Sequence, residues 1–175
     1  MALAWGIAVV PVEEIDRMNI LNASLLAMAQ ALKQCQVAPD LLLIDGAHKI
    51  PREFIASAGS SSQRVNASSA KDLMNAREAF PPQKAIRKGD DLCYSIAAAS
   101  ILAKVTRDEI MIGYDKLYPL YGFAKNKGYG SREHLAALER YGLSPIHRRS
   151  FEPVRNLAGS CQRSAVQLSL LEADR

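Results

Sequence analysis

The chain has 175 residues, 49% hydrophobic and 23% charged, which is the composition of a folded globular protein and excludes intrinsic disorder. Three scattered cysteines give an odd count without metal-ligand spacing, which excludes a small disulfide scaffold and a zinc site. The net charge of +4 comes from residues after 80, as expected of a surface that faces a polyanion, although an ordinary basic surface gives the same excess. No apolar run approaches the roughly 20 residues of a membrane span, so we expect a cytoplasmic protein without a membrane partner.

Strand-like and helix-like patterns alternate in the first part of the chain. Residues 3–10 predict a strand that ends at Pro11, and residues 12–34 carry apolar side chains at helical spacing. The wholly apolar run 41–44 predicts a strand that is buried on both faces. Strand, helix and buried strand in this order predict an α/β fold, which we expect to form a single domain over residues 1–175.

The second part begins with a segment of different composition. Residues 51–83 are rich in Ser and end in a Pro pair, which indicates an insertion with a helix around 70–79. Beyond it, the pattern predicts a short strand at 84–88, a long helix from Leu92 to about Tyr114 capped by Asp90 or Asp91, and a loop at 121–131. A short helix follows at 132–141, and the tail 156–175 carries a weak helical signal near 165–172.

Two carboxylates follow predicted strands. Asp45 comes directly after the apolar run 41–44, and Asp90 comes just after the strand at 84–88. Because sites in α/β sheets form beyond the carboxyl ends of strands, the two can converge there. Carboxylate oxygens are the ligands that Mg²⁺ and Mn²⁺ prefer. The alternative interpretation is a plain Asp-Gly turn at Asp45 and a helix cap at Asp90.

A loop with lysines, glycines and aromatic residues is the second candidate. Lys125 and Lys127 offer ammonium groups, and Tyr129 offers a ring that can stack on a sugar or base and a hydroxyl that can bond a 2′-OH. An ordinary solvated loop is the alternative. Arg148 and Arg149 form a third basic cluster, in which a helix-end or ion-pair role for the adjacent His147 is more plausible than a catalytic one.

Several sequence motifs, taken together, resemble those of type 2 ribonuclease H (ribonuclease HII) in their order and in their residues. The resemblance covers residues 4–155 apart from 51–83, and the stretch at 95–108 is the most specific. The motifs are NILNASLLAM at 19–28, LIDG at 43–46, KGD at 88–90, SIAAASILAKVTRD at 95–108, KGYG at 127–130 with His134, and PIHRRSF at 145–151.

The resemblance implies a ribonuclease H-like mixed sheet flanked by helices, with a small C-terminal helical part. It implies cleavage of the RNA strand of RNA–DNA hybrids and nicking 5′ to single ribonucleotides in duplex DNA, by two Mg²⁺ or Mn²⁺ ions held by four acidic residues. The third acid falls on Asp45 and the fourth on Asp90, with Asp91 a weaker candidate. The Tyr that senses the ribose 2′-OH falls on Tyr129. Lys125, Lys127, Arg148 and Arg149 become candidate phosphate contacts.

The chain departs from the family pattern in two respects. The first two family acids belong to an Asp-Glu-Ala-Gly-Arg-Gly motif, which this sequence lacks, and Glu13 and Glu14 do not replace them because they start a helix. The opening segment with its first strands is therefore expected to be missing. The segment 51–83 is the second departure. We expect a monomeric nuclease that is impaired in this chain, or alternatively a non-catalytic nucleic-acid-binding remnant that needs a partner segment.

Overall fold

The computed structural model describes residues 2–57, 81–152 and 154–155. The strands in this part of the chain are β1 (Leu42–Asp45) and β2 (Gln83–Ile86). The helices are α1 (Val12–Met18), α2 (Ile20–Gln34), α3 (Arg52–Ser57), α4 (Gly89–Leu92), α5 (Tyr94–Leu117), α6 (Phe123–Asn126) and α7 (Arg132–Tyr141), with a 3₁₀ turn at Pro119–Tyr121. Helices combined with a parallel sheet confirm the predicted α/β class.

The chain divides into two compact units. The sheet unit contains Met1–Val10 and Ile20–Ala103, and the helical unit contains Pro11–Asn19 and Lys104–Arg175. The long helix α5 therefore contributes residues 94–103 to the sheet unit and its remaining residues to the helical unit.

The sheet unit is built on a parallel pair of strands. β1 pairs with β2 so that Leu42 lies opposite Gln83 and Asp45 lies opposite Ile86. Ile44 of β1 is buried against α2 and α3 in a small apolar core, whose members are Leu25, Ala29, Ile44 and Ile50 with Leu42, Phe54 and Ile55 packed around them. The prediction that β1 is buried on both faces is wrong, because only Ile44 is fully buried and its neighbours are half-buried or exposed.

The opening segment is extended, but the predicted strand at 3–10 does not form in the described structure. Among the described residues, no backbone group forms a hydrogen bond with the backbone of residues 3–10. A β-strand requires such pairing with a neighbouring strand. Its main polar contact is the Ile7 N–H, which donates to the Gln34 side chain at 3.2 Å. Leu3 and Trp5 are consequently exposed.

The helix predicted over 12–34 is broken into α1 and α2. Asn19 separates them with a φ of 72° and a ψ of 164°. This backbone conformation lies outside the helical regions, so a single regular helix cannot continue through it. The apolar spacing alone does not reveal such a break.

The segment predicted as an insertion, 51–83, contains α3 at its start and the first residue of β2 at its end. The Gln83 side chain holds the two ends together, since its amide accepts from Ile50 N–H at 2.8 Å and donates to the Ile50 carbonyl at 3.0 Å. Residues 58–80, with the helix predicted near 70–79, lie outside the described residues, as do 156–175 with the helix predicted near 165–172.

The capping prediction for the long helix is wrong. Asp90 and Asp91 lie within the separate short helix α4, and the longer helix α5 begins only at Tyr94, after Cys93. The N-cap of α4 is Lys88, in a left-handed conformation and without a side-chain cap. α5 ends at Leu117, a few residues beyond the predicted end.

The helical unit has an aromatic core. Tyr121 and Phe123 stack with their ring centroids 5.6 Å apart, and Leu138 of α7 and Val154 complete the fully buried set. α7 has the predicted bounds because both ends are capped. Ser131 accepts a hydrogen bond from the His134 N–H at its start, and Gly142 adopts a positive φ at its end.

The long helix α5 is apolar around much of its circumference. Ile96 is its one fully buried residue, whereas several large apolar side chains are exposed, namely Tyr94, Ile101, Leu102, Val105, Ile112 and Leu117. Within the described parts of the chain, no helix combines the length and apolarity that crossing a membrane requires.

Candidate functional site

Asp45 is the last residue of β1 and is exposed at the carboxyl end of the parallel pair. The ladder continues one step beyond it, where the Gly46 N–H donates to the Ile86 carbonyl at 2.9 Å. Gly46 has a φ of 98°, so the chain turns sharply just after the carboxylate. The Asp-Gly pair thus forms a turn that leaves the carboxylate at the end of the sheet.

A hydrogen bond brings the second carboxylate segment to the first. The Gly89 N–H donates to Asp45 Oδ1 at 2.8 Å, so the start of α4 lies against the end of β1. Asp90, the next residue, is exposed in the first turn of α4, as is Asp91. The two carboxylate segments predicted to converge therefore meet in the sheet unit.

Gly89 is confined by its surroundings. A side chain there would place its Cβ 2.6 Å from Ile96 Cδ1 and 3.4 Å from Asp45 Oδ1. Ile96 is buried and cannot move away freely. The absence of a side chain at position 89 is therefore what allows its N–H to reach the carboxylate.

The donor chemistry of this pair suits a divalent cation, but the number of donors is small. Asp45 and Asp90 offer carboxylate oxygens, and Asp45 Oδ1 already accepts the Gly89 N–H. Among the residues that the structure describes, no group of three or more His, Cys, Asp or Glu side chains is arranged to hold a metal ion. These residues alone do not make a complete metal site.

The basic loop lies in the helical unit and has a constrained backbone. Asn126 bridges it, donating from its side chain to the Tyr121 carbonyl at 2.7 Å and accepting from the Gly128 N–H at 2.8 Å. The Ala124 N–H donates to the Asp115 carboxylate of α5 at 3.0 Å. The loop is therefore a built structure rather than a free Lys-rich turn.

Tyr129 projects from this loop with its side chain 62% exposed. The Arg107 guanidinium of α5 lies over its ring, with the Arg107 Cζ 4.6 Å from the ring centroid. This is the geometry of a cation–π contact. The remaining ring surface and the hydroxyl are available to a ligand.

The two loop lysines have different surroundings. Lys125 is exposed and lies 3.8 Å from the Glu133 carboxylate, a weak surface pair, and it lines an open depression of about 340 Å³. Lys127 has a φ of 51° and is half-buried, and its ammonium donates to the Ala124 carbonyl. Lys125 is thus the more accessible cation of the two.

A carboxylate from α1 holds the Arg148–Arg149 segment. Asp16 accepts hydrogen bonds from the Arg149 and Ser150 N–H groups, each at 3.0 Å, and from the Ser150 hydroxyl at 2.6 Å. Burial opposes ionisation of Asp16, but these hydrogen bonds and the Arg148 charge outweigh it and lower its pKa. Arg149 is exposed, whereas Arg148 is half-buried with its guanidinium over the Phe151 ring.

His134 and His147 are buried together beneath the loop, with their rings stacked 5.3 Å apart. His134 Nδ1 lies 3.2 Å from the Tyr121 carbonyl, which can only accept, so this nitrogen carries the proton. His147 Nδ1 accepts from the Ser144 N–H at 3.0 Å, so its proton lies on Nε2, which has no partner among the described atoms. His147 is thus a buried core residue, and it forms no ion pair with the residues that the structure describes.

Sequence reasoning missed Arg107, Gly128 and Asp16 as residues that shape the candidate site. Arg107 lies within the stretch 95–108 that carries the strongest family resemblance, but no pattern links it to Tyr129. Asp16 and Ser150 are far apart in sequence and share no periodicity. These contacts exist only in the folded chain.

The structure thus combines an α/β fold with two neighbouring carboxylate segments and a structured basic loop. Comparison of the sequence with known families identifies the class of protein that carries these features. A profile of the family described as "Ribonuclease HII" matches residues 2–154. The chain belongs to the ribonuclease HII family, and its described α/β structure is consistent with a ribonuclease H-like fold.

Individual proteins named Ribonuclease HII are also similar to this chain. The Ribonuclease HII of Solibacter usitatus (strain Ellin6076) is 45% identical over 88% of this chain and 55% of its own length. The Ribonuclease HII of Coxiella burnetii (strain RSA 493 / Nine Mile phase I) is 47% identical over 88% of this chain and 63% of its own length. That of Desulfitobacterium hafniense (strain DSM 10664 / DCB-2) is 49% identical over 88% and 49%. The chain thus spans about half to under two-thirds of these curated relatives.

Proposed function

We propose that this chain carries part of the machinery of a ribonuclease H endonuclease of the cytoplasm. Its substrates are the RNA strand of RNA–DNA hybrids and single ribonucleotides embedded in duplex DNA, which it nicks on the 5′ side. Hydrolysis joins a water oxygen to phosphorus as the bond to the 3′ oxygen breaks, leaving a 3′-hydroxyl and a 5′-phosphate. Family membership supports the activity, and the relatives are named for it.

The observation that carries the proposal for the site is the hydrogen bond between the Asp45 carboxylate and the Gly89 N–H. It brings the Asp-Gly and Lys-Gly-Asp segments together at one end of the parallel strands. We assign Asp45 and Asp90 as catalytic carboxylates and as ligands of divalent cations. In a two-metal site, bound Mg²⁺ or Mn²⁺ would activate water and stabilise the leaving oxygen.

We assign substrate binding to the basic loop and the segment after α7. Tyr129 packs against the ribose and senses its 2′-OH, the group that distinguishes RNA from DNA. Lys125, Lys127, Arg148 and Arg149 contact phosphates and add affinity that falls with salt without reading sequence. Of these four residues, Lys125 and Arg149 have the strongest structural support as phosphate contacts. Both are exposed, so their charges can reach a ligand without breaking a buried contact.

We propose further that this chain is impaired by itself. It carries two of the four acids that the family resemblance implies, and fewer carboxylates reduce both the attraction for a cation and the precision of its placement. Residues 1–175 act as a single domain, and the enzyme acts as a monomer. The alternative function is a non-catalytic remnant that binds nucleic acid or packs with a partner segment.

The test is nicking of a DNA duplex that holds one ribonucleotide, with Mg²⁺ or Mn²⁺. The 175-residue chain is compared with a chimera that adds the part of the Coxiella relative that the chain does not cover. We expect nicking 5′ to the ribonucleotide by the chimera, its loss in Asp45→Asn, and little or none by the chain alone. Nicking by the chain alone would contradict the proposed impairment. A folded chimera that does not nick would favour the remnant.

A further inference from the structure

The backbone around Tyr129 is held closely against helix α5. Lys127 and Gly128 both have positive φ values, 51° and 73°. A Cβ on Gly128 would lie 2.9 Å from Met111 Cε and 3.8 Å from Arg107 Nη2. Arg107 and Met111 are four residues apart and therefore share one face of α5. The loop backbone thus packs on the face of α5 that carries Arg107.

Arg107 makes few other polar interactions among the described residues. Within the described residues it forms no salt bridge, and the neighbouring Asp108 pairs with Lys104 at 3.1 Å instead. Its guanidinium lies over the Tyr129 ring. A planar guanidinium can lie flat on an aromatic ring, whereas an ammonium cannot stack in this way. The contact restricts the ring while leaving most of it exposed.

We infer that Arg107 is a positioning residue that holds the Tyr129 ring in the orientation that meets a ribose. The inference rests on the proposed function of Tyr129. Because Arg107 acts through the ring, its loss should reduce discrimination between ribose and deoxyribose. A residue that only contacts phosphate would instead weaken binding to both kinds of duplex equally.

The first measurement concerns the contact itself and does not depend on function. ¹³C-labelled tyrosine is incorporated into the full chain, and the ring signals of Tyr129 are assigned with Tyr129→Phe. Arg107→Gln should shift these signals. Arg140→Gln is the matched control, because Arg140 lies over the Tyr141 ring with its Cζ 5.2 Å from the centroid. It should shift the Tyr141 signals alone. Unchanged Tyr129 signals in Arg107→Gln would overturn the inference.

The second measurement compares the Kd of the chain, in EDTA, for a DNA duplex with one ribonucleotide and for the all-DNA duplex. We expect Arg107→Gln to lower the preference for the ribonucleotide by ~2–5-fold, and Arg107→Lys to lower it less. Arg140→Gln should keep the preference. Equal weakening on both duplexes in Arg107→Gln would make Arg107 a phosphate contact and overturn the inference. A wild-type chain without any preference would overturn the role of Tyr129, and with it that of Arg107, even where the NMR contact is present.

Discussion

Single residues in the helical unit show how strongly surroundings control protonation. His147 is buried, and this burial, together with the charge of His134, lowers its pKa to about 4. The elements packed around it contribute the Tyr121 and Phe123 rings and the His134 imidazole. The core therefore favours the neutral ring.

A dependence of stability on pH follows. The folded-state pKa of about 4 lies below the ordinary value of 6.5, so the unfolded chain binds more protons in this window. We expect the free energy of unfolding to fall by about 2–3 kcal/mol between pH 7 and pH 4. In His147→Gln, the amide oxygen can still accept the Ser144 N–H but the titrating group is gone. Urea denaturation at several pH values should give a flatter slope.

His48→Gln is the matched control for this prediction, because His48 is exposed in the sheet unit. It should keep the wild-type slope. The same slope in His147→Gln as in the wild-type chain would show that another group causes the pH dependence.

Secondary-structure elements here are joined by polar contacts between residues far apart in sequence. Gln83 ties the end of the 51–83 segment back to Ile50, and Asp16 ties α1 to residues 149–150. A short helix such as α1 has little stability by itself. Because none of its residues is fully buried, its position depends on such contacts.

The Asp16 contact can be measured by a double-mutant cycle with Ser150. We expect Asp16→Ala to lower the free energy of unfolding by about 1–2 kcal/mol, since three hydrogen bonds to a carboxylate are lost. Combining it with Ser150→Ala should cost less than the sum of the two single changes. Because the pKa of Asp16 is lowered, its contribution is present above the ordinary value of 3.8 and is lost as pH falls below it.

Glu14→Ala is the control on the same helix. Glu14 pairs with Arg17 at the surface, where an ion pair contributes little. Chemical denaturation should find this variant close to wild type. Strict additivity of the Asp16 and Ser150 changes would mean that their hydrogen bond does not contribute to stability.

At the scale of the whole molecule, helix α5 contributes residues to both compact units. If residues 1–175 form a single domain, we expect one thermal transition in which the calorimetric and van't Hoff enthalpies agree. Ala103→Pro, at the division between the units, removes a helical hydrogen bond and should separate this transition into two. Ala103→Gly lowers helix propensity but keeps the bond, and should retain a single transition. Two transitions in the wild-type chain would contradict the single-domain proposal.

Two elements of the fold, the strand that carries Asp45 and the helix α7, could be predicted from local pattern. The apolar run before Asp45 and the capped helix α7 are local features, and local chemistry decides both. The break at Asn19 could not be predicted, because a single backbone conformation overrides a correct apolar periodicity. The absent strand at 3–10 could not be predicted either, since pairing depends on a neighbour that the local sequence does not specify.

The contact between Arg107 and Tyr129 is another feature that could not be predicted from the sequence. Both residues stand within motifs that resemble the family, yet the motifs do not say which side chains meet. The close approach at Gly128 depends on how α5 packs against the loop, and packing is a property of the fold rather than of either segment.

The exposed apolar side chains of α5 also affect how the chain is handled by the quality-control machinery of a cell. Chaperones and proteases act on chains that expose apolar surface, and abundance then follows the balance between their action and protection of that surface. Ile101, Val105 and Leu117 are each at least half exposed on this helix. We therefore expect any partner or segment that covers these side chains to slow the degradation of the chain and raise its steady-state amount.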